Sequence, residues 1–536
     1  MRVFFLIFLL LFSTSLRAKP YIPAEGELIY RQGVLSTGVS IRAEREPGIS
    51  IEGAEAACVN CHRRSGLGSS EGRYIIPPIT AKYLFRPSGN NNEVRTLPNA
   101  SGVRANRSTY TDAMLARAIR EGLNPDGREL SYLMPRFKLK DDAMNALISY
   151  LKGLTSNQVP GVTEDTLHFA TIITPDADPI KRKGMLDVLD HYFASKNAFY
   201  RESPRMHASR GIKYRVDTKW QLHVWELSGP PDSWERQLHE HLVQEPVYAV
   251  ISGIGGKTWA PVHQFCEHES LPCLFPNVDL PVVAEKDFYS IYFSRGVLLE
   301  AELIARRIEE ERNQSGVRRV IQIFRKGDIG KEAADLASGL MVSDGLELEN
   351  HVLKEDHPQQ ELVELLNGVQ PDTAILLWLR PQDLALLPSR IDSKQTVFMS
   401  GLMGDLENTV LPDTWRSVTN MAYPLDLPDR RRFRMNYSTA WFGIQHIPIV
   451  DERIQSDTYL ACSILAETLG EMLDVFVRDY LVERVEDMLS RVTVTGYYPR
   501  LGLAQSQRFA SKGAYFVRFV NGSGNKLNPV SGWIVP

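Results

Sequence analysis

Cysteine and histidine are scarce in the first third of this chain. The 536 residues include only five cysteines, and His62 is the single histidine before Thr166. No strong excess of either charge is present, since the formal net charge is −4, so the composition does not indicate nucleic-acid binding. After Phe4–Phe12 no long apolar run follows, which argues against an integral membrane protein. An apolar content of 43% in so long a chain instead predicts several folded domains.

Two of the five cysteines stand in the run from Cys58 to His62, which reads CVNCH. This spacing indicates covalent haem attachment, because two thiols on one helical turn can reach a porphyrin while the following imidazole ligates the iron. A zinc site or a reducible dithiol is the alternative. Zinc would need further thiolates or imidazoles nearby, and none precedes Thr166. We therefore predict one covalent haem c, with His62 as the proximal iron ligand.

The second iron ligand is predicted to be a methionine, because no other histidine lies within reach. Met114 and Met144 fall in segments with helical periodicity, where methionine usually fills a core. Met134 differs because Pro135 follows it and biases it away from helical geometry into a loop. A thioether in a loop can turn toward a metal, so Met134 is the predicted distal ligand.

From Ala56 to Leu154 the chain resembles the class I monohaem c-type cytochromes. The resemblance rests on the haem motif, a middle rich in glycine and proline, the run from Met134 to Phe137 and a closing amphipathic helix. It implies a small all-α domain that exchanges single electrons with a redox partner protein. It also implies that the carbonyl of a proline, here Pro77 or Pro78, holds the N–H of the proximal imidazole.

The first residues predict export. A positive start and the short apolar run are typical of a secretory signal, assigned to residues 1–18. The run is too short for a comfortable membrane span, so membrane association is expected only if the segment stays uncleaved. A periplasmic location agrees with haem c, which bacteria attach outside the cytoplasmic membrane.

The remaining cysteines and several histidines are predicted to be structural. Cys266 and Cys273 could close a small disulfide loop in an oxidising compartment, while Cys462 lies in an apolar helical pattern and is predicted to be a buried thiol. Four histidines carry no clear ligand arrangement and are predicted to lie on the surface: His239, His241, His263 and His268.

The character of the chain changes after Leu154. Turn-forming residues predict that a cytochrome domain over residues 24–157 is followed by a linker, 158–165, and a larger domain, 166–536. From Leu167 to Ser400 buried-strand runs alternate with helical patterns, which predicts parallel sheets covered on both faces. The units are too many for one sheet, so we expect two doubly wound lobes, roughly 166–290 and 291–420, with the chain re-crossing between them in 421–536.

This larger domain resembles the type 1 periplasmic binding proteins, the Leu/Ile/Val-binding group. The resemblance rests on the segments Tyr248–Gly256, Pro272–Asn277 and Asp328–Lys331. It implies an α/β fold that closes on a small-molecule ligand between its lobes. The candidate ligand-binding residues are Gly256, Lys257, Thr258, Asn277, Asp279 and Asp328.

Physical support for these candidates comes mainly from one turn. Gly255 and Gly256 would let backbone N–H groups approach an anion just before a helix begins. Lys257 and Asp279 depart from the amino-acid-binding members of the group, which have small residues there. The sequence therefore does not predict an amino-acid ligand.

Function is predicted to be non-enzymatic. The chain has no Ser/His/Asp order, phosphate loop or dinucleotide fingerprint, and a methionine closes the sixth iron position. We expect an electron carrier coupled to a module that binds a small molecule or docks a partner. The alternatives are a haem-dependent periplasmic oxidoreductase and a transport receptor with an accessory haem.

Overall fold

The chain forms two compact units, residues 1–157 and 158–536. The computed structural model describes residues 24–45, 48–71, 74–85, 107–154, 159–202, 218–284, 287–341, 346–472, 475–491, 496–504, 507–520 and 526–536. The predicted signal segment over residues 1–18 lies outside these ranges. No helix among the described residues is both long enough and apolar enough to cross a membrane.

The smaller unit is mainly helical and also contains short strands. Its helices are α1 (Glu25–Gln32), α2 (Val59–His62), α3 (Ala81–Leu84), α4 (Asp112–Glu121) and α5 (Asp141–Gly153). Its strands are β1 (Arg42–Arg45), β2 (Ile49–Glu52), β3 (Ser69–Glu71), β4 (Tyr74–Ile76) and β5 (Arg136–Phe137). They form a sheet in the order β2-β1-β5 and a β3–β4 hairpin, all antiparallel.

The packing of α1 against α5 holds the two ends of this unit together. On α5 the apolar residues recur at helical spacing, so Met144, Leu147 and Leu151 form a buried stripe. Gly26 lets α1 approach closely, since a Cβ there would lie 2.2 Å from the carbonyl oxygen of Ala146. This close crossing needs glycine because any side chain would separate the helices.

The larger unit alternates strands and helices. Its strands are β6 (Thr166–Ile173), β7 (Lys219–Glu226), β8 (Ala249–Ile251), β9 (Cys273–Leu274), β10 (Ser290–Ile291), β11 (Arg319–Arg325), β12 (Glu347–Leu353), β13 (Thr373–Trp378), β14 (Thr396–Ser400), β15 (Thr419–Tyr423), β16 (Tyr515–Phe519) and β17 (Leu527–Pro529).

The helices of the larger unit lie between these strands. They are α6 (Pro179–Glu202), α7 (Trp234–Gln244), α8 (Ala260–His268), α9 (Val297–Ser315), α10 (Gly330–Met341), α11 (Pro358–Leu366), α12 (Pro381–Leu384), α13 (Asp413–Arg416), α14 (Pro428–Ile444), α15 (Glu452–Met472) and α16 (Arg478–Leu489).

Two sheets define two lobes. Lobe 1 contains the parallel sheet β10-β9-β8-β6-β7, and lobe 2 contains β12-β11-β13-β14-β15-β16-β17, in which β16 and β17 are antiparallel. Strand β13 is buried along its whole length, as expected for a central parallel strand with helices on both faces. Tryptophans fill both cores, with Trp225 and Trp259 in lobe 1 and Trp378 in lobe 2.

The chain crosses between the lobes three times. After β10 it enters α9 of lobe 2, and after β15 it returns to lobe 1, where α15 packs against α6. The last crossing precedes β16, which pairs with β15.

The sequence assigned residues 158–165 to a linker, yet 159–165 pack onto lobe 1. The amide of His168 donates to the carbonyl of Gly161 at 2.8 Å, and Val162 pairs with Leu167. A Cβ on Gly161 would lie 2.0 Å from the backbone nitrogen of Tyr248.

Candidate functional sites

Helix α2 carries the haem motif on a single turn. Cys58 stands at its N-terminus, and the amides of Cys61 and His62 donate to the carbonyl of Cys58 at 3.2 and 2.9 Å. The side-chain amide of Asn60 donates to the carbonyl of Ala54 at 2.8 Å and ties the turn to the segment before it. Both thiols and the imidazole are therefore presented by one short, anchored element.

His62 is buried and its ring is oriented by a proline. Its Nδ1 lies 3.1 Å from the carbonyl oxygen of Pro77, which assigns the proton to Nδ1 and leaves the lone pair of Nε2 for a metal. Burial lowers the pKa of His62 to about 4, against the opposing effect of the Pro77 carbonyl. The imidazole is thus neutral at pH 7, which is the form that binds iron.

The β3–β4 hairpin brings Pro77 to His62. The amide of Gly68 donates to the carbonyl of His62 at 3.2 Å, and the chain then runs through the hairpin and returns at Ile76. Gly68 has φ of +76°, and a Cβ there would lie 2.0 Å from the carbonyl oxygen of Ile76. Glycine is required at this position for both reasons. The contact involves Pro77 and not Pro78, a choice that the sequence left open.

The surroundings of the first motif thiol, Cys58, do not favour a thiolate. Burial raises the pKa of the Cys58 thiol to about 12, with the neighbouring Cys61 also raising it. Zinc ligands and reactive dithiols depend on a lowered thiol pKa. Burial of the Cys58 thiol favours its protonated form.

Met134 lies in a loop that is anchored at both ends. Its amide donates to the carbonyl of Ser131 at 3.0 Å, and buried Pro135 leads directly into β5, which pairs with β1. The Met134 side chain is half-buried, whereas Met144 is 1% exposed within the core. Two thiols, a buried imidazole with Nε2 available and a loop thioether form a donor set that fits a His/Met-ligated haem c.

The larger unit contains a cavity of about 630 Å³ at the carboxyl ends of its strands. Five of the six residues predicted from the sequence line it: Gly256, Lys257, Asn277, Asp279 and Asp328. Thr258 is not among the lining residues. Its hydroxyl instead accepts a hydrogen bond at 3.3 Å from the amide of Ala260 at the start of α8.

The first-lobe turn does not offer its N–H groups to a ligand as predicted. The amide of Lys257 donates to Oδ2 of Asp176 at 2.7 Å, and that of Gly256 donates to the hydroxyl of Thr174 at 3.2 Å. The same hydroxyl donates to Oδ1 of Asp176 at 2.6 Å. A Cβ on Gly256 would lie 2.5 Å from the carboxyl carbon of Asp176. The chain's own carboxylate therefore occupies the anion position of this turn.

Burial works against ionisation of Asp176, but hydrogen bonds from Thr174 and from the turn amides lower its pKa below the ordinary value. Asn277 is also used internally, because its amide group donates to the hydroxyls of Ser252 at 2.9 Å and Thr458 at 3.4 Å. Both groups shape the cavity wall.

Arginine–aspartate pairs cross the cavity. Arg380, which follows β13, forms a two-point contact with Asp328 at 3.0 Å and faces Asp279 of lobe 1 at 3.8 Å. Arg453 at the start of α15 contacts Asp279 at 3.3 Å. Burial opposes the charge of Asp279, yet Arg453, Lys181 and Arg380 together lower its pKa. Asp279 thus stays ionised and attracts cations of both lobes.

Several cavity residues were not predicted from the sequence. Asp176, Lys326 and Arg380 lie shortly after the ends of the strands β6, β11 and β13, so the rule that ligands bind at carboxyl ends of parallel strands could have found them. Arg453 comes from a helix in the re-crossing segment, and no local pattern indicates it.

Two other sequence predictions are corrected by the structure. Cys266 and Cys273 are buried, unbonded thiols rather than a disulfide. Their burial within the lobe 1 core suits a small apolar side chain. His263 is buried and not on the surface, because its Nδ1 lies 2.7 Å from the hydroxyl of Tyr292 and its Nε2 contacts Asp287.

Different comparisons with known proteins match the smaller and the larger unit. Residues 52–155 match the cytochrome c family. No curated protein matches the chain.

Solved structures resemble the larger unit. A fatty acid ABC transporter substrate-binding protein from Thermomonospora curvata is 16% identical, with 71% of this chain and 95% of that chain covered and a TM-score of 0.48. A branched-chain amino acid ABC transporter protein from Thermus thermophilus with bound valine is 10% identical, with 70% and 98% covered and a TM-score of 0.47.

A solute-binding protein from Rhodopseudomonas palustris BisB5, in complex with 3,4-dihydroxybenzoic acid, is 13% identical, with 69% and 98% covered and a TM-score of 0.48. The ligands named are those of the other proteins. Residues 52–155 thus match the cytochrome c family, and the larger unit is an α/β fold built on two sheets whose strands are mainly parallel.

Proposed function

We propose that this protein is an exported c-type cytochrome that transfers single electrons, and that its larger unit binds a small molecule in the cavity between its lobes. The observation that carries the haem proposal is the geometry of His62. It directly follows the two thiols, is buried, and has Nδ1 held 3.1 Å from the Pro77 carbonyl. That hydrogen bond orients the imidazole and increases its basicity at Nε2.

Each residue of the haem site has a separate role in this proposal. Cys58 and Cys61 would attach the porphyrin, and His62 through Nε2 and Met134 through its sulfur would hold the iron. The bound haem provides a one-electron iron couple. An iron with both axial positions filled by protein has no open position for a substrate, which favours electron transfer over catalysis.

The larger unit is proposed to act as a receptor rather than an enzyme. Its cavity lies between two lobes that the chain joins by three crossings, an arrangement that permits hinge closure around a ligand. Import alone would need no redox centre. We therefore favour a redox-linked receptor, which exchanges electrons with a partner protein, over a transport receptor.

The test of the haem proposal is the visible spectrum of the purified full-length protein, produced with a working haem-maturation system. We expect low-spin haem with a methionine–iron charge-transfer band. Met134→Ala should abolish that band, because a methyl group cannot ligate iron. Met114→Leu is the matched control, since Met114 lies in the first turn of α4, and it should leave the band unchanged.

Two results would contradict the proposal. If the spectrum of the Met134→Ala variant equals that of the unmodified protein, Met134 is not an iron ligand. High-spin haem in the unmodified protein would indicate an open iron position and favour the oxidoreductase alternative.

A further inference from the structure

Three lysines line the cavity without a close ion-pair contact to a carboxylate of the described residues. Lys181 at the start of α6 and Lys257 in the first-lobe turn belong to lobe 1, and Lys326 after β11 belongs to lobe 2. None of the three forms an ion pair with another of the described residues, whereas the arginines of the cavity are all paired. Each ammonium group carries three hydrogen-bond donors. Unused donors therefore approach the cavity from both lobes.

The acceptors of the cavity, by contrast, are already engaged. Asp176 accepts from the first-lobe turn, and Asp178 accepts from the amides of Ile180 and Lys181 at 2.9 Å each. The other four carboxylates pair with arginines and are Asp279, Asp328, Glu355 and Asp383. A ligand that needs acceptors would have to displace one of these contacts.

The apolar part of the lining is small. It comprises Ala177, Pro179, Ile254 and Ile454, and none of the described residues that line the cavity is aromatic. Cavities that bind drug-like or large apolar ligands are mostly lined by aliphatic and aromatic side chains. A bulky apolar ligand would thus leave the charged wall desolvated and unpaired, at a cost in affinity.

We infer that the ligand of this cavity is a small anion that carries acceptor oxygens at two ends, as a dicarboxylate or a phosphate ester does. This inference rests on the proposed function of the cavity as a small-molecule site. Lysines from lobe 1 would contact one end and Lys326 of lobe 2 the other, so binding would draw the lobes together. The backbone N–H groups of the first-lobe turn take no part, because Asp176 and Thr174 already accept from them.

The test uses titration calorimetry of the full-length holoprotein with three probes: succinate, inorganic phosphate and leucine. We expect succinate or phosphate to bind and leucine not to bind. Affinity should fall as salt is raised, because screening weakens attraction between exposed charges. Binding of succinate alone identifies a dicarboxylate, and binding of phosphate alone identifies a phosphate group.

Two variants localise the binding. Lys257→Ala and Lys326→Ala should each weaken binding of the anion by about tenfold or more, the usual effect of losing one charge-assisted hydrogen bond. Lys394→Ala is the matched control, since Lys394 is exposed and lies before β14, at the opposite end of the sheet from the cavity. Its affinity should equal that of the unmodified protein.

The outcomes separate this inference from the proposed function. Binding of leucine without succinate or phosphate would overturn the anion assignment and leave the cavity as a small-molecule site. Equal affinity in the cavity and control variants would also overturn it. If none of the three probes binds, both the anion assignment and the receptor role of the larger unit fail, while the haem proposal stands on its spectrum.

Discussion

The haem motif and the cavity are built over very different lengths of sequence. Five consecutive residues supply both thiols and the imidazole, and the proline that orients the ring follows fifteen positions after His62. The cavity draws its charged residues from separate strand ends and helix starts between Asp176 and Arg453. One site is local and the other exists only when distant segments meet.

This difference predicts how each site responds to mutation. Changes in the haem site should act through a few neighbouring residues and leave the larger unit intact, since each unit has its own buried residues. Changes in the cavity region should instead couple residues that are far apart in sequence. Three predictions test this contrast, in order of expected effect.

The largest effect is expected from the double variant Cys58→Ser, Cys61→Ser. Without either thiol no thioether can form, so covalent haem should be lost completely. Intact-mass measurement should show a protein without the porphyrin increment, while the thermal transition of the larger unit stays at its original temperature. A lower transition temperature would show that the stability of the larger unit depends on the haem site of the smaller unit.

The second prediction concerns the backbone near His62. Gly68→Ala should destabilise the smaller unit by about 3 kcal/mol, from combined left-handed strain and steric overlap with the carbonyl of Ile76. Gly38→Ala is the matched control, because Gly38 has φ of +81° but no atom within 4 Å of an added Cβ. It should cost only about 1 kcal/mol. Chemical unfolding followed by circular dichroism measures the free energy of unfolding of both variants. An equal loss of stability in the two variants would show that steric overlap with the Ile76 carbonyl contributes nothing.

The third prediction concerns a buried carboxylate of lobe 2. Glu300 of α9 accepts a hydrogen bond at 3.0 Å from the amide of Leu402 and another from Ser400, which joins α9 to the loop after β14. Burial raises the pKa of Glu300 from 4.5 to about 8, although these hydrogen bonds lower it. The folded state therefore keeps a proton that the unfolded state releases near pH 4.5.

Because the folded state binds more protons between these two values, stability should fall as pH rises from about 5 to 8, by on the order of a few kcal/mol. Glu300→Gln should flatten this dependence, since glutamine does not titrate. Thermal unfolding at several pH values measures it, with the exposed Glu349→Gln as control. A slope retained in Glu300→Gln would assign the effect to another group.

Much of the secondary structure could be predicted because its signals are local. Buried runs such as Thr373–Trp378, and helices such as Val297–Ser315, fall within the stretch from Leu167 to Ser400 where the sequence predicts alternating strands and helices. Short strands such as Ser290–Ile291 were not predicted, since two residues carry no periodicity. The strands β16 and β17 were also missed, because their pairing with β15 depends on a late crossing of the chain.

The cavity residues also show that contacts between distant segments cannot be predicted from local sequence. Gly255 and Gly256 were expected to let backbone N–H groups approach a ligand anion, and in the structure the carboxylate beside Gly256 belongs to Asp176, eighty residues earlier. Sequence spacing reveals that a turn can accept an anion. It does not reveal whether the fold itself provides that anion, because the answer depends on how β6 and β8 pair.

The sequence by itself determined the elements whose chemistry is contiguous: the CVNCH motif, the loop position of Met134 and the alternation of strands and helices. Tertiary structure alone decided that Pro77 faces His62, that Asp176 fills the first-lobe turn and that the three lysines of the cavity form no close ion pair with the described residues. The physical reason is that a hydrogen bond or an ion pair depends on distance in space, and strand pairing sets that distance independently of separation along the chain.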